Sequence, residues 1–251
     1  MDILAAKIHA GSPKVRWNAC HAIAKVLLCP ALPLSSVTWA PSVLQALLSA
    51  IAQQENFKVR ISACSALRVP VSRGAYGSFY PQAVMAIVDA LETASDLKDV
   101  TEFRYKEQLE TQLSFTLVHL IYVATEEDQL TLDEALQAKP TGFLYDWLFH
   151  NLHRMTVAME REQEAATADA EDGGTEGSAG GATEMHDVNP IKKDELLSAV
   201  RTLLRLVRRD HEGQPKAQQS YMATCLSLLY DAKLSLERDV LYSQEDLAFE
   251  F

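Results

Sequence analysis

Two stretches of the chain nearly repeat one another: SPKVRWNACHAI at Ser12–Ile23 and NFKVRISACSAL at Asn56–Leu67. Lys, Val, Arg, Ala, Cys and Ala recur in phase, at an offset of 44 residues throughout. Another step of 44 reaches Phe103 and Arg104, where a third and degenerate copy begins. A period of about 40–47 residues with two helices per unit is typical of stacked helical repeats. The sequence therefore predicts an all-α stack of helical hairpins.

The repeated residue types have a physical meaning in such a stack. Val15 and Val59 are expected to begin the inner helix of their unit and to plug the gap to the neighbouring unit. The small Ala-Cys-x-Ala positions allow helices of successive units to approach closely. One unit alone leaves a face bare, so stacking buries the core. Ser12 and Asn56 occupy the preceding turn and are competent helix caps.

Hydrophobic periodicity predicts helices along nearly all of the remaining chain. Leu44, Leu47, Leu48 and Ile51 form one apolar stripe, and Pro41 suits the first turn of that helix. No segment has the pattern of a strand. The predicted helices cover residues 13–28, 38–53, 57–69, 78–94, 102–124, 128–137, 142–162, 190 to about 213, and 215 onward.

The acidity of the chain is concentrated in one segment. The net charge is −11, and residues 161–187, with eight acids and one base, supply −7 of it. This segment also holds five of the ten glycines and almost no large apolar side chain. Such a composition cannot bury enough surface to offset its chain entropy. We therefore predict a repeat stack at 1–160, a disordered acidic linker at 161–189, a helical hairpin at 190–238 that caps the stack, and a tail at 239–251.

Composition and motifs point away from several functional classes. The chain is 48 % hydrophobic and 23 % charged, which is usual for a globular protein. The acidic balance disfavours a nucleic-acid coat or a membrane-surface protein. No phosphate-binding glycine loop and no nucleophile motif is present, so no catalytic residue and no cofactor is predicted. His150 and His153 lie three residues apart but lack further zinc ligands nearby, so no metal site is predicted either.

Cys20 and Cys64 fall on the small positions of the repeat, where core packing is expected rather than nucleophilic catalysis. Without a secretory signal, the thiols are expected to be reduced in an intracellular protein, cytoplasmic and/or nuclear. No apolar run is long enough to span a membrane. The tail mixes acids with aromatic residues, which fits either a docking motif or a terminus packed on the last helix.

A basic stripe is the best candidate for recognition. It lies on the helix after the acidic segment and consists of Arg201, Arg205, Arg208 and Arg209. Three interpretations stay open: a solvated face, docking of the acidic 161–187 segment, or a partner-binding face that grips carboxylates or phosphates. Arg16, Arg60 and Arg104 begin successive inner helices and form a second candidate surface, or else they only cap or bridge repeats.

The strings KVRWNACHAI, CPALPL and NFKVRISACSALRVP, followed by Tyr76-Gly77, resemble the C-terminal part of HEAT repeat-containing proteins. The resemblance covers about residues 10–125. It implies an armadillo-type α-solenoid without known catalytic residues, and a chain that is the end of a longer array. Many HEAT repeats carry an Asp before Val-Arg, whereas Ser12 and Asn56 stand in this turn.

The resulting expectation is a non-catalytic protein–protein interaction scaffold that is monomeric and has protein partners. The alternative is an RNA- or DNA-associated factor that binds through the basic helix at 201–209. We consider nucleic acid the less favoured partner, because the chain around the stripe is not broadly basic.

Overall fold

The computed structural model describes residues 1–29, 31–53, 56–94, 103–137, 142–152, 192–211 and 216–246. All regular secondary structure within these ranges is helical, and they contain no strand. The prediction of an all-α protein is therefore confirmed for the described part of the chain. The acidic segment predicted to be a disordered linker, 161–189, lies outside the described residues, as does His153.

The helices follow the hydrophobic pattern, with short turns between most of them. A π-helical turn, Leu148–Leu152, continues the ninth helix, and short 3-10 turns at Gly77–Phe79 and Glu126–Asp128 lead into the sixth and eighth. In chain order the helices are α1 Asp2–His9, α2 Pro13–Leu27, α3 Ala40–Gln53, α4 Phe57–Leu67, α5 Arg73–Tyr76, α6 Tyr80–Thr93, α7 Phe103–Val123, α8 Gln129–Gln137, α9 Phe143–Trp147, α10 Lys193–His211 and α11 Lys216–Asp246.

The longer helices pack in two layers. In the first layer α1 contacts α3, α3 contacts α6, and α6 contacts α8. In the second layer α2 contacts α4, α4 contacts α7, and α7 contacts α10. Chain neighbours α1 and α2, α3 and α4, and α6 and α7 pair across the layers. Each hairpin therefore buries its apolar face against its own partner and against the neighbouring hairpins.

The sequence repeat coincides with equivalent helices. The repeated string opens α2 in one copy and α4 in the other, and Cys20 and Cys64 are fully buried in both. The side chain of Asn56 accepts a hydrogen bond from the Val59 backbone N–H at 3.3 Å, as an N-cap should. Ser12 also occupies the N-cap position, but its side chain makes no capping hydrogen bond.

One expectation about the repeat is wrong for its first copy. Val59 is fully buried, as predicted for a plug between units, but Val15 is 41 % exposed. The physical reason is the number of neighbours: α4 lies between α2 and α7, whereas α2 has only α4 beside it among the described helices of its layer. The same residue type therefore has a packing partner in one copy and faces outward in the other.

The last hairpin continues the second layer. α10 packs on α7, and α11 packs on α10 and on the segment formed by α9 and the π-helical turn. The apolar stripe predicted for α10 is buried throughout: Leu196, Leu197, Val200, Leu203, Leu204 and Val207. The helical backbone of α11 extends through Asp246, past the boundary predicted at 238, so residues 239–246 belong to this helix.

Candidate functional site

The repeated arginines both donate to a backbone carbonyl earlier in the same hairpin. The Nε of Arg16 donates to the carbonyl of Gly11 at 3.0 Å, and the Nε of Arg60 donates to the carbonyl of Ile51 at 2.8 Å. Gly11 lies in the turn after α1, whereas Ile51 lies in the last turn of α3. Both hydrogen bonds therefore lie within a single hairpin. The side chain of Arg104 is outside the described set.

The basic stripe on α10 consists of three described side chains with three different surroundings. Arg201, Arg205 and Arg208 are all exposed, as the stripe predicts. Arg201 donates to Glu237 on α11 at 2.9 Å, and the guanidinium of Arg208 lies over the Tyr230 ring, 5.0 Å from its centroid. Both of these arginines link the two helices of the last hairpin. The side chain of Arg209 is not among those described.

Arg205 differs from its neighbours on the stripe. Among the residues that the structure describes, no carboxylate, carbonyl or ring is in contact with its guanidinium. It lines a cleft of about 490 Å³ between α10 and the turn that leads into α8. We call this the Arg205 cleft; its lining residues are Ala124, Thr125, Glu126, Gln129, Leu132, Thr202, Arg205 and Leu206.

The polar groups of the Arg205 cleft are mostly hydrogen-bond acceptors. The Thr202 hydroxyl already donates to the Ser198 carbonyl at 3.0 Å, and the Thr125 hydroxyl donates to Asp128 at 2.9 Å. Both hydroxyls therefore offer only lone pairs to a ligand. Glu126 adds an exposed carboxylate, and the apolar part of the wall comes from Leu132, Leu206 and Ala124. The cleft therefore combines several hydrogen-bond acceptors and an apolar wall with the Arg205 guanidinium, which has no contact with another described residue.

A buried hydrogen-bonded pair joins the last hairpin to the repeat stack. His119 on α7 is 4 % exposed; its Nδ1 is hydrogen-bonded to the Glu195 carboxylate on α10 and its Nε2 to the Pro70 carbonyl at 2.9 Å. Burial alone would raise the pKa of Glu195, but its hydrogen bond with His119 outweighs burial and lowers the pKa. The fold therefore favours the ionised form of Glu195.

The surroundings of this pair are polar and buried. Arg68 is 2 % exposed, and its guanidinium lies over the Phe115 ring at 5.3 Å. The Tyr76 hydroxyl donates to the Leu67 carbonyl at 2.7 Å, and burial raises the pKa of Tyr76. These side chains come from the end of α4, from α5 and from α7, and they meet the beginning of α10. The arrangement links these four elements through contacts among their buried polar side chains.

The turn before α8 is held in place by an ion pair. The Nε of Arg73 contacts both carboxylate oxygens of Asp128 at 2.8 Å, and its guanidinium lies 4.3 Å from the Tyr80 ring centroid. Thr125 and Asp128 also form a capping box. The spacing of Thr125 and Asp128 is a signal that sequence analysis overlooked. His119 inside the apolar run LSFTLVHLIYV is another, because a single imidazole in such a run needs a partner.

The described residues considered for catalysis or metal binding are either buried or hydrogen-bonded within the protein. Burial raises the pKa of Cys20 and of Cys64 to about 12, so neither thiol is an activated nucleophile. The Nδ1 of His150 donates to the carbonyl of Asp146 in the preceding helical turn at 2.9 Å. No group of three or more metal-ligating side chains comes together within the described ranges.

A second groove, of about 660 Å³, lies between the π-helical turn and α11. It is mainly apolar, and its lining residues are Leu148, Phe149, His150, Leu152, Leu228, Asp231, Ala232 and Ser235. Its only described ionisable groups are His150 and Asp231, one on each side. Unlike the Arg205 cleft, this groove does not present an arginine without a contact.

Comparison with known proteins gives partial similarity and no matching family model. An uncharacterized protein of Dictyostelium discoideum is 34 % identical to this chain over 119 residues, which are 43 % of the chain and 8 % of that relative. The chain thus spans only a small part of the relative that it matches. No protein-family model and no solved structure matches the chain. Among the described helices, none is both long and apolar enough to cross a membrane.

Proposed function

We propose that the chain is an armadillo-type α-solenoid of HEAT-like helical hairpins and acts as a non-catalytic scaffold for protein–protein interactions. The order of contacts within the two layers supports the solenoid, since each hairpin touches its chain neighbours. The repeated arginine supports it as well, because its Nε donates to a backbone carbonyl of the same hairpin in both copies. In this interpretation α10 and α11 form the capping hairpin.

The observation that supports the scaffold function is that the Arg205 guanidinium has no contact with another described residue. Arg16, Arg60, Arg201 and Arg208 all have their guanidinium groups in contacts within the chain, as is usual for structural residues. Arg205 is instead presented in a cleft, where a planar guanidinium can grip a carboxylate with two hydrogen bonds. The raised pKa values of the buried thiols and the fully occupied ring of His119 favour binding over catalysis.

The test compares proteins captured from a lysate by three forms of the chain: native, Arg205→Glu and Lys25→Glu. Lys25 is an exposed residue of α2, in the first hairpin, and makes the matched charge-reversal control. We expect a defined set of proteins that binds the native chain and Lys25→Glu and is lost with Arg205→Glu. All three forms are first checked for equal helix content by circular dichroism.

Two results would contradict the proposal. If Arg205→Glu captures the same set as the native chain, the α10 face is a solvated surface and not a binding face. If the captured material is nucleic acid and disappears on nuclease treatment, the protein is a nucleic-acid-associated factor. Phosphate binding would also weaken steeply between low and moderate salt.

A further inference from the structure

We propose that the Arg205 cleft binds a short peptide segment of a partner protein in which one acidic side chain lies next to an apolar one. This inference rests on the proposed scaffold function and adds to it the location and chemistry of one binding site. The cleft volume of about 490 Å³ is in the range of pockets that enclose a few side chains. Three features of the cleft define this ligand: the Arg205 guanidinium, the hydrogen-bond acceptors and the apolar wall.

The positive charge of Arg205 favours a ligand with an anionic group. The Arg205 guanidinium is exposed, and none of its five N–H donors is used by another residue within the described part of the chain. A ligand carboxylate can accept two of these donors in parallel hydrogen bonds. Arg201 and Arg208, one turn away on either side, do not compete, because they are engaged with Glu237 and Tyr230.

The acceptors require N–H donors from the ligand. The hydroxyl hydrogens of Thr125 and Thr202 are already used within the protein, and Gln129 offers an amide with both a donor and an acceptor. A peptide backbone provides N–H and C=O groups at regular spacing and matches this mixture. An inorganic anion does not, since it would face lone pairs on several sides.

Glu126 limits the negative charge that the cleft accepts. Its carboxylate lies in the same lining as Arg205, so a ligand with a single acid near the arginine is favoured over a polyanion. This feature disfavours a nucleic-acid backbone, which would bring several phosphates to one arginine. It also selects among peptides, because a second acid beside the first would approach Glu126.

The apolar wall and Glu126 together explain why a partner is proposed rather than the acidic segment of this chain. Leu132 and Leu206 supply carbon surface at the cleft, and a ligand gains by covering it with an apolar side chain. The segment 161–187 offers an acid beside a large apolar residue at one place, Glu184-Met185, and Asp187 follows two residues later. Its further acids would approach Glu126, so a partner segment with one acid matches the cleft better.

The experiment selects ligands from a random peptide library displayed on phage, with the full native chain as bait. We expect the enriched peptides to share an acidic residue adjacent to a Leu, Ile, Val, Met or Phe. A fluorescein-labelled copy of the most enriched peptide is then titrated against the native chain and its variants by fluorescence anisotropy. Arg205→Gln should weaken binding by about tenfold or more, the loss of charge-assisted hydrogen bonds.

Two further variants separate the proposal from a general loss of structure. Glu126→Gln should tighten binding of the same peptide, because it removes a like charge from the cleft; unfolding cannot produce opposite effects from two variants. Arg201→Gln, on the same helix, should leave the affinity within about twofold of the native value, the scale of an exposed pair outside the site. Changing the acid of the peptide to its amide should reproduce the loss seen with Arg205→Gln.

The proposal is overturned if no peptide is enriched, if the enriched peptides lack acids, or if Arg205→Gln binds as Arg201→Gln does. These failures are distinct from failure of the scaffold function. If lysate proteins depend on Arg205 but no acidic-apolar peptide binds, the binding face stands and its proposed ligand chemistry is wrong. If such peptides bind the cleft while lysate capture is insensitive to Arg205→Glu, the peptide site stands and the scaffold function is contradicted.

Discussion

Arg16 and Arg60 occupy the same place in the repeat, and in each the Nε donates to a backbone carbonyl earlier in the same hairpin. At the residue scale, the role of each arginine follows from the groups that its guanidinium contacts. Arg73 meets a carboxylate and an aromatic ring, and Arg205 meets neither in the described part of the chain. Sequence analysis placed several of these arginines in one candidate class, whereas the geometry separates those in internal contacts from the one available to a ligand.

The two capping positions of the repeat allow a matched test of a single hydrogen bond. Asn56→Ala should lower the free energy of unfolding by about 1 kcal/mol, because it removes the acceptor of the Val59 N–H. Ser12→Ala at the equivalent position should cost clearly less, since the Ser12 side chain makes no such bond. Urea unfolding followed by circular dichroism measures both, and equal losses would show that the Asn56 bond contributes nothing.

The lowered pKa of Glu195, between α7 and α10, predicts a dependence of stability on pH. The pKa of Glu195 in the folded chain lies below its usual value of 4.5, so its ionised form stabilises the fold. This contribution is complete above the unfolded pKa and is lost as pH falls through the lower, folded value. Glu195→Gln should therefore cost about 1–3 kcal/mol near pH 7, and the difference from the native chain should shrink steadily below about pH 4.5.

The control for this pH series is Glu134→Gln, which changes an exposed carboxylate on α8. It should alter the free energy of unfolding by less than about 0.5 kcal/mol at neutral pH. If the cost of Glu195→Gln stays constant from pH 7 to the acid limit of the folded state, the fold does not favour the ionised form of Glu195 and the lowered pKa is wrong.

At the scale of an element, the repeated valine is the same residue in both copies but has different neighbours in each. Val59→Ala should cost about 2–3 kcal/mol, because it removes fully buried methyl groups in a helix that is packed on both sides. Val15→Ala, 44 residues earlier, should cost well under about 1 kcal/mol, because Val15 is 41 % exposed. Denaturant unfolding of the two variants side by side measures the contrast; equal costs would mean that Val15 is packed in solution.

At the scale of the whole molecule, the helical stack predicts a gradient of local stability. Units in a stack are held by their nearest neighbours, so a helix with one neighbour opens more readily than a helix with two. Amide hydrogen exchange should therefore be slowest in α4 and α7, which are central in the second layer, and faster in α1 and α2. Uniform protection from α1 to α7 would contradict this and would indicate a single cooperative unit.

The element scale is also where the sequence predicted most. The helix from 38 to 53 begins at Ala40, the helix from 78 to 94 begins at Tyr80, and the long helix expected from 102 begins at Phe103. Hydrophobic periodicity, an early proline and a capping residue are local signals, and a helix depends chiefly on such signals to begin and to expose one face. The end of α11 was placed too early, because its apolar periodicity weakens before its backbone leaves the helix.

The sequence by itself determined the helical class, the order of the helices, the register of the repeat and the apolar stripes that become the core. These follow from periodicity and from small residues at fixed spacing, which act within a few turns of the chain. Only the tertiary structure decided which copy of the repeated valine is buried, that His119 and Glu195 form an internal pair across 76 residues of sequence, and that Arg205 alone of the described stripe faces an open cleft. The physical reason is that burial, ion pairing and exposure are properties of the neighbours that packing brings together, and a side chain's own sequence context does not contain them.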